Sequence, residues 1–193
     1  MSKELNSYFE MLVHIPMCTH AEPKNILVIS NHSESFIKEL TKYKELNIST
    51  CLNSDALGKL TDMSEGSVDL LIVDDERLLN DKIFCAVAKR SLGAKGVMSA
   101  KASSLMQNTN DAKAELANLG ENFRILMPYG FIAGEDKYLF AYLASGYYHP
   151  TADINLQRAD LTEGYEYYNS DVATAAFSMP NFIRKEYLGL IKS

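Results

Sequence analysis

A chain of 193 residues that is 47% hydrophobic and 23% charged has the composition of a globular protein with one sizeable core. Its formal net charge of −6, without any cluster of more than two adjacent Lys or Arg residues, argues against a nucleic-acid partner. No apolar run reaches membrane-spanning length and residues 1–17 do not have the pattern of a signal peptide, so we expect a cytoplasmic protein with no membrane partner. Three scattered cysteines, Cys18, Cys51 and Cys85, favour reduced thiols.

Predicted strands and helices alternate along the chain, which indicates a mostly parallel sheet covered on both faces. An amphipathic helix over residues 5–14 comes first and is expected to end before Pro16. The predicted strands cover 26–30, 46–53, 68–75, 95–102, 123–131 and 137–145. The predicted helices cover 34–43, a short segment after Ser54, 81–93, 111–120, a segment from Asn169 or Ser170 to Pro180, and the end of the chain. We therefore predict one α/β domain over residues 1–193.

Residues at the ends of several predicted helices and strands are typical of helix caps and turns. Ser54 is predicted to cap the short helix that follows it, and Gly93 and Gly120 are predicted to end their helices. The segment AGED at 133–136 has turn composition, so the strands on either side of it are expected to form an antiparallel hairpin at one edge of the sheet.

In open α/β sheets, ligands bind at the carboxyl ends of the strands. The loop 30–35, Asp55 and the acids Asp74, Asp75 and Glu76 are expected along that edge. Acids at strand ends also commonly cap the next helix, so their position alone leaves a structural role open. A second cluster, His14, Cys18 and His20, is interrupted by Pro16 and stands alone, and no metal site is predicted.

Three segments resemble the spermidine synthase, or polyamine aminopropyltransferase, family. YYNSDVATAAFSMPNF at 167–182 resembles the end of that family, where a Tyr-Tyr-Asn triplet opens a helix that runs to Ala-Ala-Phe. YFEMLVHIPMCTHAEPKNILVI at 8–29 resembles its first helix, its His-Leu-Pro segment and its first strand, and YHPTADINLQRADL at 148–161 resembles a late loop. The resemblance implies a methyltransferase-like Rossmann domain with a mostly parallel sheet and a C-terminal antiparallel hairpin.

The resemblance also implies a reaction, the transfer of an aminopropyl group from decarboxylated S-adenosylmethionine to putrescine in polyamine biosynthesis. No tightly bound cofactor is expected, because the sulfonium compound is a co-substrate, and the small-molecule partners are a polyamine and a nucleoside. Both substrates are cationic and the attacking amine must lose a proton, so the reaction needs carboxylates. Asp74 matches the first aspartate of the family's gatekeeper segment and is the expected catalytic residue.

Further roles carry over from the family by position. The expected amine-binding residues are Tyr8, Asp75 and Glu76. The expected cofactor-binding residues include Ser33, which falls at the aspartate of the family's glycine loop, and Glu34, one position further on, which could substitute for that aspartate if the backbone shifts. They also include Asp55 and Ala56, which match the family's adenine-binding pair.

The sequence departs from the family in ways that bear on activity. Residues 30–34 contain none of the family's loop glycines, and the second gatekeeper aspartate is Arg77. The interval 43–69 has room for one strand and one short helix, so the family's second strand and its ribose-binding acid are expected to be missing, as is the β-domain that precedes Tyr8. Two functions stay open, an aminopropyltransferase and a catalytically silent homologue that serves as a binding or dimerisation module. A homodimer is expected in either case.

Overall fold

The computed structural model describes residues 3–133 and 137–193. The strands are β1 (Asn25–Ile29), β2 (Asn47–Cys51), β3 (Leu70–Val73), β4 (Val97–Lys101), β5 (Ile125–Ile132) and β6 (Tyr138–Ser145). The α-helices are α1 (Lys3–Thr19), α2 (Ser33–Leu40), α3 (Ala56–Asp62), α4 (Lys82–Leu92), α5 (Thr109–Gly120), α6 (Leu156–Leu161), α7 (Ser170–Ala176) and α8 (Asn181–Glu186). Among the described residues, no helix is long and apolar enough to cross a bilayer.

Within these residues the six strands form one sheet in the order β2-β1-β3-β4-β6-β5. The first four are parallel neighbours, β6 is antiparallel to β4, and β5 is antiparallel to β6 at the edge. All four residues of β3 are buried, as expected for a central strand covered on both faces. The predicted α/β class with a mostly parallel sheet and an antiparallel pair at its edge is confirmed. The predicted turn at 134–136 lies outside the described residues.

Helices cover both faces of the sheet, and each face has its own apolar core. Alternate strand residues divide between the two cores, so that Leu27 faces one and Val28 the other. The core around Leu27 includes residues of α3, α4, α5 and α8, namely Leu60, Phe84, Leu116 and Ile183. The core around Val28 includes residues of α1, α2, α6 and α7, namely Leu12, Phe36, Ala159 and Ala173.

Helix α1 continues through Pro16 to Thr19, so the prediction that it ends before the proline is wrong. Proline removes one helical hydrogen bond and crowds the preceding turn. Here the apolar side chains on both sides of it, such as Leu12 and Met17, are fully buried against the sheet. Burial of this face outweighs the local penalty, because packing contributes more than helix propensity does.

Other element ends also differ from the sequence prediction. Strand β2 lies beside β1 in parallel register, from Asn25 opposite Asn47 to Ile29 opposite Cys51, so the predicted strand at 46–53 is present, and the α-helix between it and β3 is the short α3. Gly93 ends α4 with a positive φ of 62°, as predicted, whereas Gly120 is the last residue of α5 and Glu121 takes the cap position predicted for the glycine. Asp55, not Ser54, precedes α3, and it makes no side-chain capping bond.

A buried carboxylate on α1 holds the segment that carries the Tyr-Tyr-Asn triplet. Glu10 is 1% exposed and accepts hydrogen bonds from the backbone N–H groups of Glu166 at 3.0 Å, Tyr167 at 2.9 Å and Tyr168 at 2.8 Å. Charge-assisted bonds to backbone amides are among the stronger hydrogen bonds in proteins. The first helix and the C-terminal segment are therefore joined at one side chain.

A second buried group on α1 is His14. Its Nε2 lies 2.9 Å from a carboxylate oxygen of Glu39, and its Nδ1 lies 2.8 Å from the hydroxyl of Tyr43. A carboxylate can only accept, so Nε2 carries the proton of the neutral ring and Tyr43 donates to Nδ1. Burial lowers the pKa of His14 in spite of the adjacent carboxylate. Burial alone would raise the pKa of Glu39, but hydrogen bonds from His14 and Lys42 lower it.

The lowered pKa of His14 predicts a stability that falls in mild acid. Below about pH 6.5 the unfolded chain binds a proton at this histidine that the folded chain does not, so the free energy of unfolding falls by about 1.4 kcal/mol per pH unit until the folded-state pKa is reached. Urea denaturation at pH 7.5, 6.5 and 5.5 measures this loss. His14→Gln should lack this part of the pH dependence, whereas His32→Gln, at an exposed position, should keep it. The same pH dependence in His14→Gln and the wild type would contradict the assignment.

Candidate functional site

The carboxyl ends of β1, β2, β3 and β4 meet at one edge of the sheet, where they border a polar cavity of about 450 Å³. The residues that line it come from the segments that follow these strands and from the last residue of β4. They are Asn31, His32, Asn53, Asp74, Asp75, Glu76, Arg77 and Lys101. This is the position at which open parallel sheets bind ligands.

Asp74 directly follows β3, and its carboxylate is held by two hydroxyl groups. The hydroxyl of Tyr8, on α1, donates to Oδ1, and the hydroxyl of Ser30 donates to Oδ2 at 2.7 Å. Burial and the adjacent charge of Asp74 raise the pKa of Tyr8, so this phenol stays protonated and acts as a donor. Among the described residues no ion pair reaches Asp74. Its negative charge is therefore oriented by neutral donors and is not neutralised.

Asp75 has a different environment, because a guanidinium covers it. Arg77 donates from Nε to Oδ1 at 2.8 Å and from Nη2 to Oδ2 at 2.7 Å, which is the two-pronged geometry of a strong arginine–carboxylate pair. The hydrogen bonds from Arg77 lower the pKa of Asp75. The backbone N–H of Arg77 also donates to Oδ1 at 3.1 Å, so the carboxylate caps the short 3₁₀ helix Glu76–Asn80.

The third acid of this segment is also paired with a cation. Lys101, the last residue of β4, places its ammonium 2.9 Å from a carboxylate oxygen of Glu76. Both side chains are about one third exposed, so solvent screens the pair. Of the three consecutive acids, Asp74 alone keeps an unpaired charge at the cavity.

Side chains fill the turn between β1 and α2, where the family has glycines. Ser30 is 1% exposed, and its Oγ accepts the backbone N–H of His32 at 2.8 Å while it donates to Asp74. Asn31 accepts the backbone N–H of Asn53 at 3.2 Å and so ties this turn to the end of β2. Among the described non-glycine residues, only Glu45 has a positive φ. The backbone of this turn therefore needs no glycine, and its side chains occupy space that a ligand could otherwise approach.

Asn53 is a cavity residue that the sequence analysis did not identify. Its Nδ2 donates to Asp75 at 3.3 Å, which fixes the orientation of the amide, because the oxygen would be repelled by a carboxylate. The amide oxygen, Oδ1, is then buried without a hydrogen-bond partner among the described residues. A ligand hydroxyl or N–H group could supply the missing donor. The only sequence signal was a polar residue close after a strand.

The predicted site residues divide into two groups. The structure brings Tyr8, Asp74, Asp75 and Glu76 to the same edge of the sheet. The residues predicted to bind the cofactor lie around the cavity but do not line it, and they are Ser33 at the start of α2, Glu34 and Asp55 at exposed positions, and Ala56 buried at the start of α3. Their roles stay predictions. Among the described residues, no group of three or more His, Cys, Asp or Glu side chains is placed to hold a metal ion.

Similar sequences and solved structures include several aminopropyltransferases. The family model of the spermine/spermidine synthase domain matches residues 5–57. A polyamine aminopropyltransferase of Thermotoga petrophila is 23% identical over 95% of this chain and 75% of its own length, and one of Helicobacter acinonychis is 25% identical over 95% and 78%. The chain is thus similar to the polyamine aminopropyltransferases along most of its length. The resemblance found in the sequence is thereby confirmed.

Solved structures confirm the fold of the chain. A spermidine synthase in complex with the transition-state analogue AdoDATO superposes with a TM-score of 0.84 at 22% identity, over 95% of this chain and 74% of the other. The methyltransferase-like Rossmann fold is therefore retained over almost the whole chain. The fold match therefore covers the terminal segments that carry the resemblance as well as the sheet edge at Asp74.

Opening the filled turn should strengthen the binding of any nucleoside ligand at this edge of the sheet. The double variant Ser30→Gly with Asn31→Gly removes both side chains, and we expect the affinity for methylthioadenosine in isothermal titration to rise about tenfold, at a cost of about 1–2 kcal/mol in unfolding free energy from lost hydrogen bonds. The variant Ser30→Ala with Asn31→Ala is the control that removes the polar groups and keeps Cβ atoms. An affinity of the glycine variant at or below the wild-type value would show that the turn does not limit binding.

Proposed function

We propose that this protein transfers an aminopropyl group from decarboxylated S-adenosylmethionine to putrescine in the cytoplasm. The observation that carries the proposal is Asp74, an unneutralised carboxylate at the carboxyl end of the central strand, held by Tyr8 and Ser30. Curated relatives named polyamine aminopropyltransferase and the fold support it. The three free thiols, Cys18, Cys51 and Cys85, are compatible with a reducing compartment.

The proposed reaction needs one proton acceptor and one aligned nucleophile. The acceptor amine loses a proton to Asp74, and its nitrogen lone pair attacks the aminopropyl carbon that is bonded to the sulfonium. A carbon–nitrogen bond forms while the carbon–sulfur bond breaks, and its electron pair neutralises the sulfonium to give the thioether methylthioadenosine. Tyr8 and Ser30 hold the carboxylate in one orientation, which saves entropy on the way to the transition state.

The remaining residues have proposed binding roles. The ring centroid of Tyr8 lies 5.2 Å from that of Phe9 and 6.3 Å from those of Phe36 and Phe131, and these buried rings hold Tyr8, which can contact the aliphatic and cationic parts of an amine. Asp75 and Glu76 add to the charge of the cavity but are paired with Arg77 and Lys101. As residues that bind the nucleoside we propose Ser33, Glu34, Asp55 and Ala56. The nucleoside would reach them after movement of the turn between β1 and α2 or of the loop before α3.

A second candidate function is a catalytically silent homologue that binds ligands or other protein chains. The observation that favours it is the pairing of Asp75 with Arg77 and of Glu76 with Lys101, together with the filled turn at Ser30. Each pairing removes negative charge that would bind the two cationic substrates, and the filled turn removes space that they would occupy.

Replacement of Asp74 separates the two candidate functions. In a transferase, Asp74→Asn keeps the shape and an acceptor oxygen but removes the proton acceptor, so turnover should fall by about two to four decades with little change in stability. Product formation from putrescine and decarboxylated S-adenosylmethionine measures turnover. Asp62→Asn, an equal charge change at an exposed position on α3, should keep the wild-type rate. Wild-type protein without any product, combined with a loss of stability in Asp74→Asn, would support the silent homologue.

We further propose that the protein forms a homodimer through the surface around α8. Phe182 and Leu188 are 61% and 85% exposed there, which is unusual for large apolar side chains. An open cavity of about 290 Å³ beside Leu188 is bordered by Met127, Phe177 and Tyr187 and reaches the edge strand β5. This surface can bury the same patch on both subunits, as a twofold interface requires.

Light scattering tests the proposed dimer. The wild type should give twice the mass of one chain at tens of micromolar, and Leu188→Glu should give a monomer, because the interface would bury the new charge. Leu161→Glu is the matched control, since Leu161 is 75% exposed on α6, which packs on the opposite face of the sheet. A wild type that stays monomeric at high micromolar concentration would contradict the proposal.

A further inference from the structure

We propose that Arg77 determines acceptor specificity by restricting amine recognition to a single carboxylate, Asp74. The inference deepens the proposed function and rests on it for the identity of the ligand. It concerns the number of ammonium groups that the site binds, which the fold does not specify.

The first support is the accessibility of the Arg77–Asp75 pair. The side chain of Asp75 is 8% exposed and that of Arg77 is 81% exposed, so the guanidinium lies between this carboxylate and solvent. Both carboxylate oxygens already accept from Arg77, and Oδ2 also accepts from Asn53. A ligand ammonium could reach Asp75 only by displacing a tethered cation that forms two hydrogen bonds.

The second support is the charge at the cavity as a whole. Asp74, Asp75 and Glu76 supply three negative charges, and Arg77 and Lys101 supply two positive charges, which leaves a net charge of −1. The remaining negative charge is that of Asp74, whose hydrogen-bond donors are neutral hydroxyls. The site therefore attracts one ammonium group, and a second one on the same ligand would lie near a guanidinium of like charge.

A prediction about amine selection follows. An acceptor with one ammonium group and an acceptor of the same length with two should bind about equally well, because the second charge gains no carboxylate. Removing the guanidinium should make the acceptor with two ammonium groups bind more tightly than the acceptor with one. The backbone N–H of residue 77 would still donate to Asp75, so the cap of the 3₁₀ helix is preserved while the carboxylate becomes available.

The test is isothermal titration of the full chain, saturated with methylthioadenosine, with butylamine and with putrescine. For the wild type we expect dissociation constants within about threefold of each other. For Arg77→Gln we expect putrescine to bind about tenfold more tightly, and butylamine to bind as in the wild type. Lys82→Gln is the control, because it removes one positive charge whose partner, Glu121, is exposed and away from the cavity. This control should keep the wild-type ranking.

The outcomes distinguish this inference from the proposed function. Putrescine affinity that is already tenfold above that of butylamine in the wild type, and is unchanged in Arg77→Gln, would overturn the role of Arg77. Failure of both amines to bind either protein would also overturn it. The expected binding pattern without aminopropyl product would support Arg77 as the selecting residue and refute the transferase. Aminopropyl product without the expected binding pattern would support the transferase and refute the role of Arg77.

Discussion

The carboxylate of Asp74 is the point at which three distant segments of the chain meet. It follows the central strand, it accepts the hydroxyl of Tyr8 from the first helix, and it accepts the hydroxyl of Ser30 from the turn after β1. A partly buried charge needs such donors, since an unsatisfied carboxylate would be costly to remove from water. One acceptor thus joins the first helix, the turn after β1 and the end of the central strand.

Charge pairing sets the electrostatics of the cavity. Its lining comes from polar segments that follow the strands of the sheet and from the last residue of β4. Arg77 and Lys101 lower its net negative charge, because each pairs with an acid of the same short segment. The fold brings these segments together, and the side chains on them decide which charges a ligand would meet.

The sequence predicted those features that follow from burial and periodicity. The apolar run of β3 and the acids after it identified both the central strand and the edge at which Asp74 lies, because parallel strands end together. Predictions from local sequence preferences were wrong where burial of apolar side chains outweighed those preferences, as at Pro16 within α1. The role of Asn53 could not be predicted, because its contact with Asp75 depends on side-chain distances across the sheet edge. Arg77 lies only two positions from Asp75, but the sequence does not say which of the three acids its guanidinium binds. Helix α6 is six residues long, too short for a periodic signal.

The bond pattern of Glu10 has a consequence for the order of folding. Its three amide donors belong to residues 166–168, more than 150 positions further along the chain. During synthesis from the amino terminus, the first helix therefore cannot bury this carboxylate with its partners until the C-terminal segment has left the ribosome. Contacts of such long sequence separation slow folding. Until then the Glu10 carboxylate lacks the three amide donors that bind it in the folded protein.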